Sequence, residues 1–158
     1  RGLGDVYKRQ EKGYKMFFLG AAEGVAAKAA ENLMNRFKGL QVVGTYSPPF
    51  GFEKDPVEMD KIKSMIKEAT PHILIVGLGC PKQEKFMYHH CAELGVPISF
   101  GLGASFDFEA GNIKRAPRWM ANHGLEWLFR ITQDPKRMAK RYLVDDRKIL
   151  GLAIKYRK

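Results

Sequence analysis

Short apolar runs alternate with helix-like segments over the first two thirds of the chain. Four runs have the length and composition of strands, at residues 16–19, 41–46, 73–78 and 97–100. Three amphipathic segments lie between them and predict helices, at residues 24–37, 55–69 and 83–94. Strands that alternate with helices of this length predict an α/β fold, a parallel sheet built from Rossmann-like βαβ units.

Local signals define the boundaries of these elements. Pro48 and Pro49 predict a loop after the second strand, because consecutive prolines are incompatible with a regular element. Asp55 followed by Pro56 predicts a helix N-cap with proline at the first helical position. The β-branched run at 73–78 is typical of a strand covered on both faces. In such a sheet, ligands bind beyond the carboxyl ends of the strands.

The chain after Asn112 has a different character. Residues 117–131 predict one amphipathic helix, Pro135 interrupts it, and a second helical stretch is predicted over residues 136–156. Residues 113–158 carry 13 basic and 4 acidic side chains, whereas residues 1–112 carry 14 and 13, so nearly all of the net charge of +10 lies in this section. We expect a basic helical appendage that meets an anionic partner, with a merely solvated basic helix as the alternative.

Composition excludes several classes of protein. Apolar residues make up 45% and charged residues 28% of the 158 residues, the profile of a folded domain and not of a disordered or collagen-like chain. Two cysteines are too few for a disulfide framework. The apolar run at 73–80 is far shorter than the roughly 20 residues that span a bilayer.

The sequence of the first ten residues indicates that they are foreign to the rest of the chain. Residues 5–10 resemble the translation of a transposon end used to prepare sequencing libraries. We therefore expect residues 1–10 to be a non-native leader, with an ordinary polar leader as the alternative. The predicted organisation is a leader at 1–10, a Rossmann-like portion at 11–112 and the basic appendage at 113–158.

Candidate chemistry concentrates where the third and fourth strands end. Residues 77–84 read Gly-Leu-Gly-Cys-Pro-Lys-Gln-Glu and pass from a strand into a helix. Gln83 can both donate and accept, which suits a sugar hydroxyl or a phosphate oxygen, although a structural role is the alternative. Asp107 follows the Gly-Leu-Gly turn at 101–103. Its carboxylate could accept from a ribose hydroxyl or a base N–H, or it could cap a loop.

Two weaker patterns lie in the glycine-rich turn after the first strand and among the cysteines and histidines. Residues 20–25 open a helix after the first strand, where exposed N–H groups suit a phosphate, but they match neither GxGxxG nor a P-loop, so the signal is weak, and a tight turn with close helix packing is the alternative. Cys80, His89, His90 and Cys91 match no usual zinc spacing, so no metal site is expected. No base is identifiable that would make Cys80 a nucleophile.

Basic side chains recur at helical spacing in the appendage. Arg130 and Arg137 are seven residues apart, and Arg137 and Arg141 are four apart, so a continuous helix would place all three on one face. Guanidinium groups bind diphosphates well because of their forked geometry. The aromatic side chains between them, such as Trp127, either pack on the sheet or lie at a membrane interface.

Together these segments resemble the WecG/TagA/CpsF family of bacterial glycosyltransferases. The matching segments lie between about Lys15 and Tyr142. They are residues 24–26, 43–50, 77–79 with 81–84, 106–108 with 110–111, 115–117 and 125–130. The resemblance implies an inverting, metal-independent transfer of an N-acetylhexosamine-type sugar, such as N-acetylmannosamine, in the synthesis of teichoic acids or other surface polysaccharides. The implied donor is a UDP-sugar, and the implied acceptor is a polyprenyl-diphosphate-linked saccharide.

The resemblance also implies partners and a location. Residues 11–112 would form the UDP-sugar side, and the appendage would meet an anionic membrane surface. Members work peripherally at the cytoplasmic face of the plasma membrane, without a cofactor and without nucleic acid. Homo-oligomer formation is left open.

Individual roles follow from the same resemblance. It places Gln83 in the active-site pocket, and it brings Arg130, Arg137 and Lys140 to the diphosphate. We expect Gln83, Arg130 and Arg137 to be catalytic. Lys140 stands where an arginine is expected, with Arg141 beside it. The residues expected to bind substrate are Thr45, Gly79, Pro81, Asp107, Lys140 and Arg141.

One departure from the family is large. Family members carry roughly half a domain more before the strand at Met16, and their catalytic base, an aspartate, belongs to that part. No residue here matches it, so we expect this chain to be the C-terminal portion of such an enzyme and inactive alone. The alternatives are a non-catalytic UDP-binding or membrane-docking protein, and a nucleic-acid-binding module that uses the basic tail.

Overall fold

The chain divides into two compact units, residues 1–112 and 113–158. The structure, a computed structural model, describes residues 13–114 and 116–135. The predicted leader and the helical stretch predicted over 136–156 lie outside the described residues. The first unit contains the sheet, and the described part of the second contains two short helices.

The first unit is an α/β fold. Its strands are β1 (Lys15–Gly20), β2 (Gln41–Tyr46), β3 (Ile73–Gly77) and β4 (Ile98–Gly101). Its helices are α1 (Val25–Arg36), α2 (Pro56–Ala69), α3 (Lys82–Leu94) and α4 (Gly103–Glu109), with a 3₁₀ turn at Phe52–Lys54. The predicted fold class and strand–helix order are confirmed, whereas α4 was not predicted.

All pairings in the sheet are parallel, and the strand order is β2-β1-β3-β4. From β1 the chain first moves outward to β2 and then returns to the other side of β1 to form β3. The direction of winding therefore reverses between β1 and β3. In a parallel sheet, a crevice opens at this reversal, beyond the carboxyl ends of the two strands.

The two faces of the sheet carry separate cores because successive strand side chains point to opposite sides. On one face, Met16, Phe18, Ile73 and Ile75 pack with residues of α1 and α4. On the other face, buried residues of α2 and α3 pack on a second set from β1 and β3, namely Phe17, Leu19, Leu74 and Val76. Strands β1 and β3 are thus covered on both faces, as the β-branched run predicted.

The pairing of β1 with β2 contains a β-bulge. Met16 is in register with Val42, but Phe17 is in register with Gly44, so Val43 is an extra residue in β2. A Cβ on Gly44 would lie 2.5 Å from the ring of Phe17, which fills the space beside the glycine. Tyr46 consequently packs on the same face as Leu19.

Helix α2 begins as its sequence predicted. Asp55 is the N-cap, and its Oδ1 accepts from the N–H groups of Val57 at 3.0 Å and Glu58 at 3.3 Å. Pro56 is the first helical residue, where its missing N–H costs nothing.

The prediction of a single helix over residues 117–131 is wrong. The second unit has instead α5 (Arg118–Asn122) and α6 (Glu126–Gln133). Gly124 adopts a left-handed φ of 70°, Gly124 N–H bonds to Ala121 O, and Leu125 N–H bonds to Met120 O at 2.8 Å. This is a Schellman motif, which ends a helix and satisfies its last carbonyls. Among the described helices, none has the length and apolar character that a membrane-spanning segment needs.

The close approach of β1 and β3 generates a stability prediction. Gly20 has φ +113°, and a Cβ there would lie 2.5 Å from the carbonyl carbon and oxygen of Gly77. We expect Gly20→Ala to lower the free energy of unfolding by about 3 kcal/mol, because backbone must move. Urea denaturation measures the loss.

Gly95→Ala is the matched control. Gly95 also has a left-handed φ, +65°, but no atom lies within 4 Å of a Cβ built there. It should lose only about 1 kcal/mol, the cost of the left-handed backbone alone. Equal losses in the two variants would show that the close strand approach contributes nothing.

Candidate functional site

Several backbone hydrogen bonds join the loops that leave the carboxyl edge of the sheet. Gly20 and Gly77, the last residues of β1 and β3, are in register. The N–H of Ala21 donates to Gly77 O at 2.8 Å, and the N–H of Leu102 donates to Val76 O at 2.9 Å. The loops that follow β1 and β4 are therefore fixed to the end of β3, beside the crevice.

The loop after β2 is held at the same place by Ser47. Its Oγ lies 3.1 Å from Gly20 O and 3.2 Å from Ala22 O, so the single hydroxyl proton has two acceptors. The segments that follow all four strands thus meet at the carboxyl edge of the sheet. This is the edge at which the sequence predicted ligand binding. Such a rigid frame suits a binding site because little order is lost when a ligand binds.

Gln83 lies in the second position of α3, at this edge. Its Nε2 donates to Glu84 Oε1 at 2.9 Å. A Cβ on Gly101 would lie 2.7 Å from Gln83 Nε2, and one on Gly103 would lie 3.4 Å from Gln83 Oε1. The amide therefore rests against the backbone at the end of β4, in space that only glycines leave open.

The Oε1 atom of Gln83 is buried, and no donor within the described residues reaches it. A buried acceptor without a donor is destabilising, and such groups are rare in native proteins. A donor from a bound molecule would satisfy this oxygen. Gln83 therefore combines the position and the hydrogen-bonding vacancy expected of a ligand-binding residue.

Gly79 and Pro81 lie in the loop that leads into α3. Gly79 is exposed with φ +79°, and its carbonyl accepts from Gln83 N–H at 2.9 Å. The Cys80–Pro81 peptide is cis, and Pro81 O accepts from Lys85 N–H at 3.2 Å. Both predicted substrate-binding residues are thus in the loop that leads into the helix of Gln83, and their contacts with substrate stay predictions.

Thr45 and Asp107 occupy two other elements at this edge. Thr45 is half-buried, one residue before the end of β2, in register with Phe18. Asp107 is half-buried within α4 and does not lie in a loop, so the loop-capping alternative does not describe it. Helix α4 is attached to α1 by an Arg36–Glu109 ion pair. Substrate contacts of Thr45 and Asp107 stay predictions.

Lys82, the first residue of α3, contacts the loop after β2. Its Nζ lies 2.6 Å from Glu53 Oε1 and 4.7 Å from the ring centre of Phe50. The hydrogen bond from Lys82 holds the pKa of the Glu53 carboxyl below its ordinary value. Phe52, next to Glu53, is buried in the core and anchors this loop.

A second polar cluster joins the end of β2 to α2. The hydroxyl of Tyr46 donates to Glu58 Oε1 and accepts from Lys61 Nζ at 2.5 Å. The hydrogen bond with Tyr46 raises the pKa of Lys61. The hydroxyl is thereby engaged within the fold. Sequence reasoning predicted neither this cluster nor the Lys82–Glu53 pair.

Arg130, in the second unit, lies on α6. Its Nη2 donates to Glu126 Oε1 at 2.6 Å, one helical turn earlier. Helix α6 ends at Gln133, and Asp134 is its C-cap with φ −140°. Arg137, Lys140 and Arg141 lie outside the described residues, so the shared basic face and the roles of these side chains stay predictions.

The other groups considered from the sequence form no such site. Among residues 13–114 and 116–135, no set of three or more His, Cys, Asp or Glu side chains could hold a metal ion. Cys80 and Cys91 are free thiols. A shallow depression of about 260 Å³, lined in part by Pro71, His72 and Pro97, lies at the opposite, amino edge of the sheet.

Comparison with known proteins agrees with the resemblance seen in the sequence. The model of the glycosyl transferase WecG/TagA/CpsF family matches residues 5–158. Two curated relatives, both named N-acetylglucosaminyldiphosphoundecaprenol N-acetyl-beta-D-mannosaminyltransferase, match most of the chain. The protein of Bacillus spizizenii (strain W23) is 37% identical over 82% of this chain and 48% of its own length. That of Bacillus subtilis (strain 168) is 33% identical over 84% of this chain and 52% of its own length.

The chain thus spans about half the length of the curated relatives that it matches. The family match, by contrast, covers almost every residue of the chain and includes Gln83 and the loop that precedes its helix. The chain belongs to the WecG/TagA/CpsF family of glycosyltransferases.

Proposed function

We propose that this chain forms the donor-nucleotide side of a glycosyltransferase. The enzyme would move an N-acetylhexosamine-type sugar, such as N-acetylmannosamine, from UDP to a polyprenyl-diphosphate-linked saccharide during cell-surface polymer synthesis. The names of both relatives support this sugar and a polyprenyl-diphosphate-linked acceptor. The observation that carries the proposal is the buried, unsatisfied Oε1 of Gln83 at the carboxyl edge of the sheet.

The proposed transfer inverts the anomeric carbon and uses no metal. The acceptor hydroxyl oxygen attacks the anomeric carbon, the bond from that carbon to the phosphate oxygen breaks, and UDP leaves with the electron pair. A general base takes the hydroxyl proton. The base implied by the resemblance, an aspartate, has no match among the 158 residues.

The residues of this chain would act mainly on the leaving group. Gln83 Oε1 would accept from a ribose hydroxyl of the UDP part of the donor, which would orient the nucleotide. Arg130 and Arg137, with Lys140 and Arg141, would stabilise the negative charge that develops on the diphosphate. The charge of +9 over residues 113–158 supports this assignment.

The second unit would also place the enzyme peripherally at the cytoplasmic face of the plasma membrane. Basic residues attract anionic lipid headgroups, and aromatic side chains settle at the interface between lipid and water. Trp119, Trp127 and Leu128 are 60%, 47% and 42% exposed. Exposed apolar side chains in a strongly basic unit support a lipid surface over nucleic acid as the partner.

Calorimetry with UDP tests the nucleotide proposal. We expect the chain to bind UDP, and we expect Gln83→Ala to weaken binding about tenfold by removing one hydrogen bond to the ligand. Gly101→Ala should weaken it similarly, because its Cβ would lie 2.7 Å from Gln83 Nε2 and would displace the amide. Gln41→Ala, at the exposed amino end of β2, is the matched control and should bind normally.

Two results would contradict this proposal. One is the absence of UDP binding by the folded wild-type chain. The other is equal UDP affinity in the wild type, Gln83→Ala and Gly101→Ala.

Vesicle sedimentation tests the membrane proposal. The chain should bind phosphatidylglycerol vesicles and not phosphatidylcholine vesicles. Replacing Lys114 and Arg118 by Gln should weaken binding about thirtyfold, because each charge contributes about 1 kcal/mol near an anionic surface. Replacing Lys28 and Lys38 of the first unit is the control, with little expected effect. Equal binding to both vesicle types, or tighter binding to RNA, would contradict the proposal.

A further inference from the structure

An ion pair joins the start of α3 to the loop after β2, at the ligand edge of the sheet. Lys82 lies beside Gln83 at the start of α3, and Glu53 lies in the loop that follows β2. Their charged atoms are 2.6 Å apart, and the Lys82 ammonium also lies 4.7 Å from the ring centre of Phe50. The pair therefore bridges the loop after β2 and the start of α3, one residue in sequence from Gln83, whose buried Oε1 marks the proposed nucleotide site.

This pair contributes little to the stability of the fold. The side chains of Lys82 and Glu53 are 42% and 39% exposed, and ion pairs with this exposure add little to stability because water and salt screen the charges. The Phe50 ring is 99% exposed, so its contact with Lys82 buries almost no apolar surface. A contact that is this weak can be exchanged for another at low cost.

The position of the pair suits exchange with an anionic ligand. Lys82 provides a cation within one residue of Gln83, at the positive end of the α3 dipole. A diphosphate that entered here would attract the ammonium and repel the Glu53 carboxylate. The carboxylate already forms a hydrogen bond with Lys82, which keeps the pKa of Glu53 low and keeps the group charged.

We propose that Lys82 binds the diphosphate of the donor and that Glu53 competes with the diphosphate for the same ammonium. This rests on the proposed function. Without nucleotide, the carboxylate of Glu53 occupies Lys82. When the donor binds, the ammonium passes from Glu53 to a phosphate oxygen, and the loop that carries Phe50 loses its attachment to α3.

A purely structural bridge makes the opposite prediction for one variant. If the pair only positions the two loops, removing either partner weakens ligand binding. If Glu53 is a competitor, removing its charge strengthens binding, whereas removing Lys82 weakens it. The sign of the Glu53→Gln effect therefore separates the two roles.

Calorimetry on the full chain tests this with UDP, uridine and inorganic pyrophosphate as probes. We expect Lys82→Met to weaken UDP binding about fivefold and Glu53→Gln to tighten it about threefold, with uridine unaffected. Lys54→Met is the matched control, because it removes the same charge from the 3₁₀ turn beside Glu53 without removing either partner. It should change UDP binding less than about twofold.

The outcomes distinguish this inference from the proposed function. Weaker UDP binding by Glu53→Gln, or unchanged binding in both variants, overturns the competitor role while UDP binding stands. If UDP does not bind the wild type but pyrophosphate binds with the expected order of variants, the inference stands and the nucleotide proposal fails. Binding of neither probe by any variant overturns both.

Discussion

The close approach of the backbone at the ends of β1 and β3 is the constraint on which the site depends. Gly20 and Gly77 meet with no room for a side chain between them, and the N–H of Ala21 donates to Gly77 O. On the other side of Gly77, a Cβ would lie 2.5 Å from the ring of Phe106 in α4. Gly20 and Gly77 thus allow β1, β3 and α4 to approach one another closely at this edge.

Two further glycines leave room for a polar amide at the same edge of the sheet. Gln83 rests against the backbone of Gly101 and Gly103, and its Oε1 is left buried and unsatisfied. Burial of an unpaired acceptor lowers stability, so the fold maintains it only because the surrounding backbone is held firmly. The destabilisation is local, and a ligand donor would relieve it.

Much of the first unit could be predicted from the sequence because its signals are local. The β-branched run of β3 and the Asp55–Pro56 cap each depend on a few neighbouring residues, and both are confirmed. Helix α4 was missed because seven residues give almost no periodicity. The break at Gly124 was missed because a single glycine inside an amphipathic pattern is often tolerated within a helix.

The polar contacts at the ligand edge could not be predicted in the same way. Lys82 and Glu53 are far apart in the sequence, and they meet because the strands are parallel, so that the segments after β2 and β3 leave the sheet at the same edge. The position of Gln83 could be inferred from its motif, but its unsatisfied oxygen depends on the backbone of β4 and α4.

The bulge at Val43 determines which face of the sheet each later side chain of β2 occupies. If the ladder continued regularly from the Met16–Val42 pair, without a bulge, Leu19 would pair with Thr45 instead of Tyr46, and Thr45 and Tyr46 would exchange faces. The Tyr46 hydroxyl would then point away from Glu58 and Lys61. The bulge thus absorbs one extra residue within β2, so that the side chains at the end of the strand keep the faces that a regular strand without Val43 would give them.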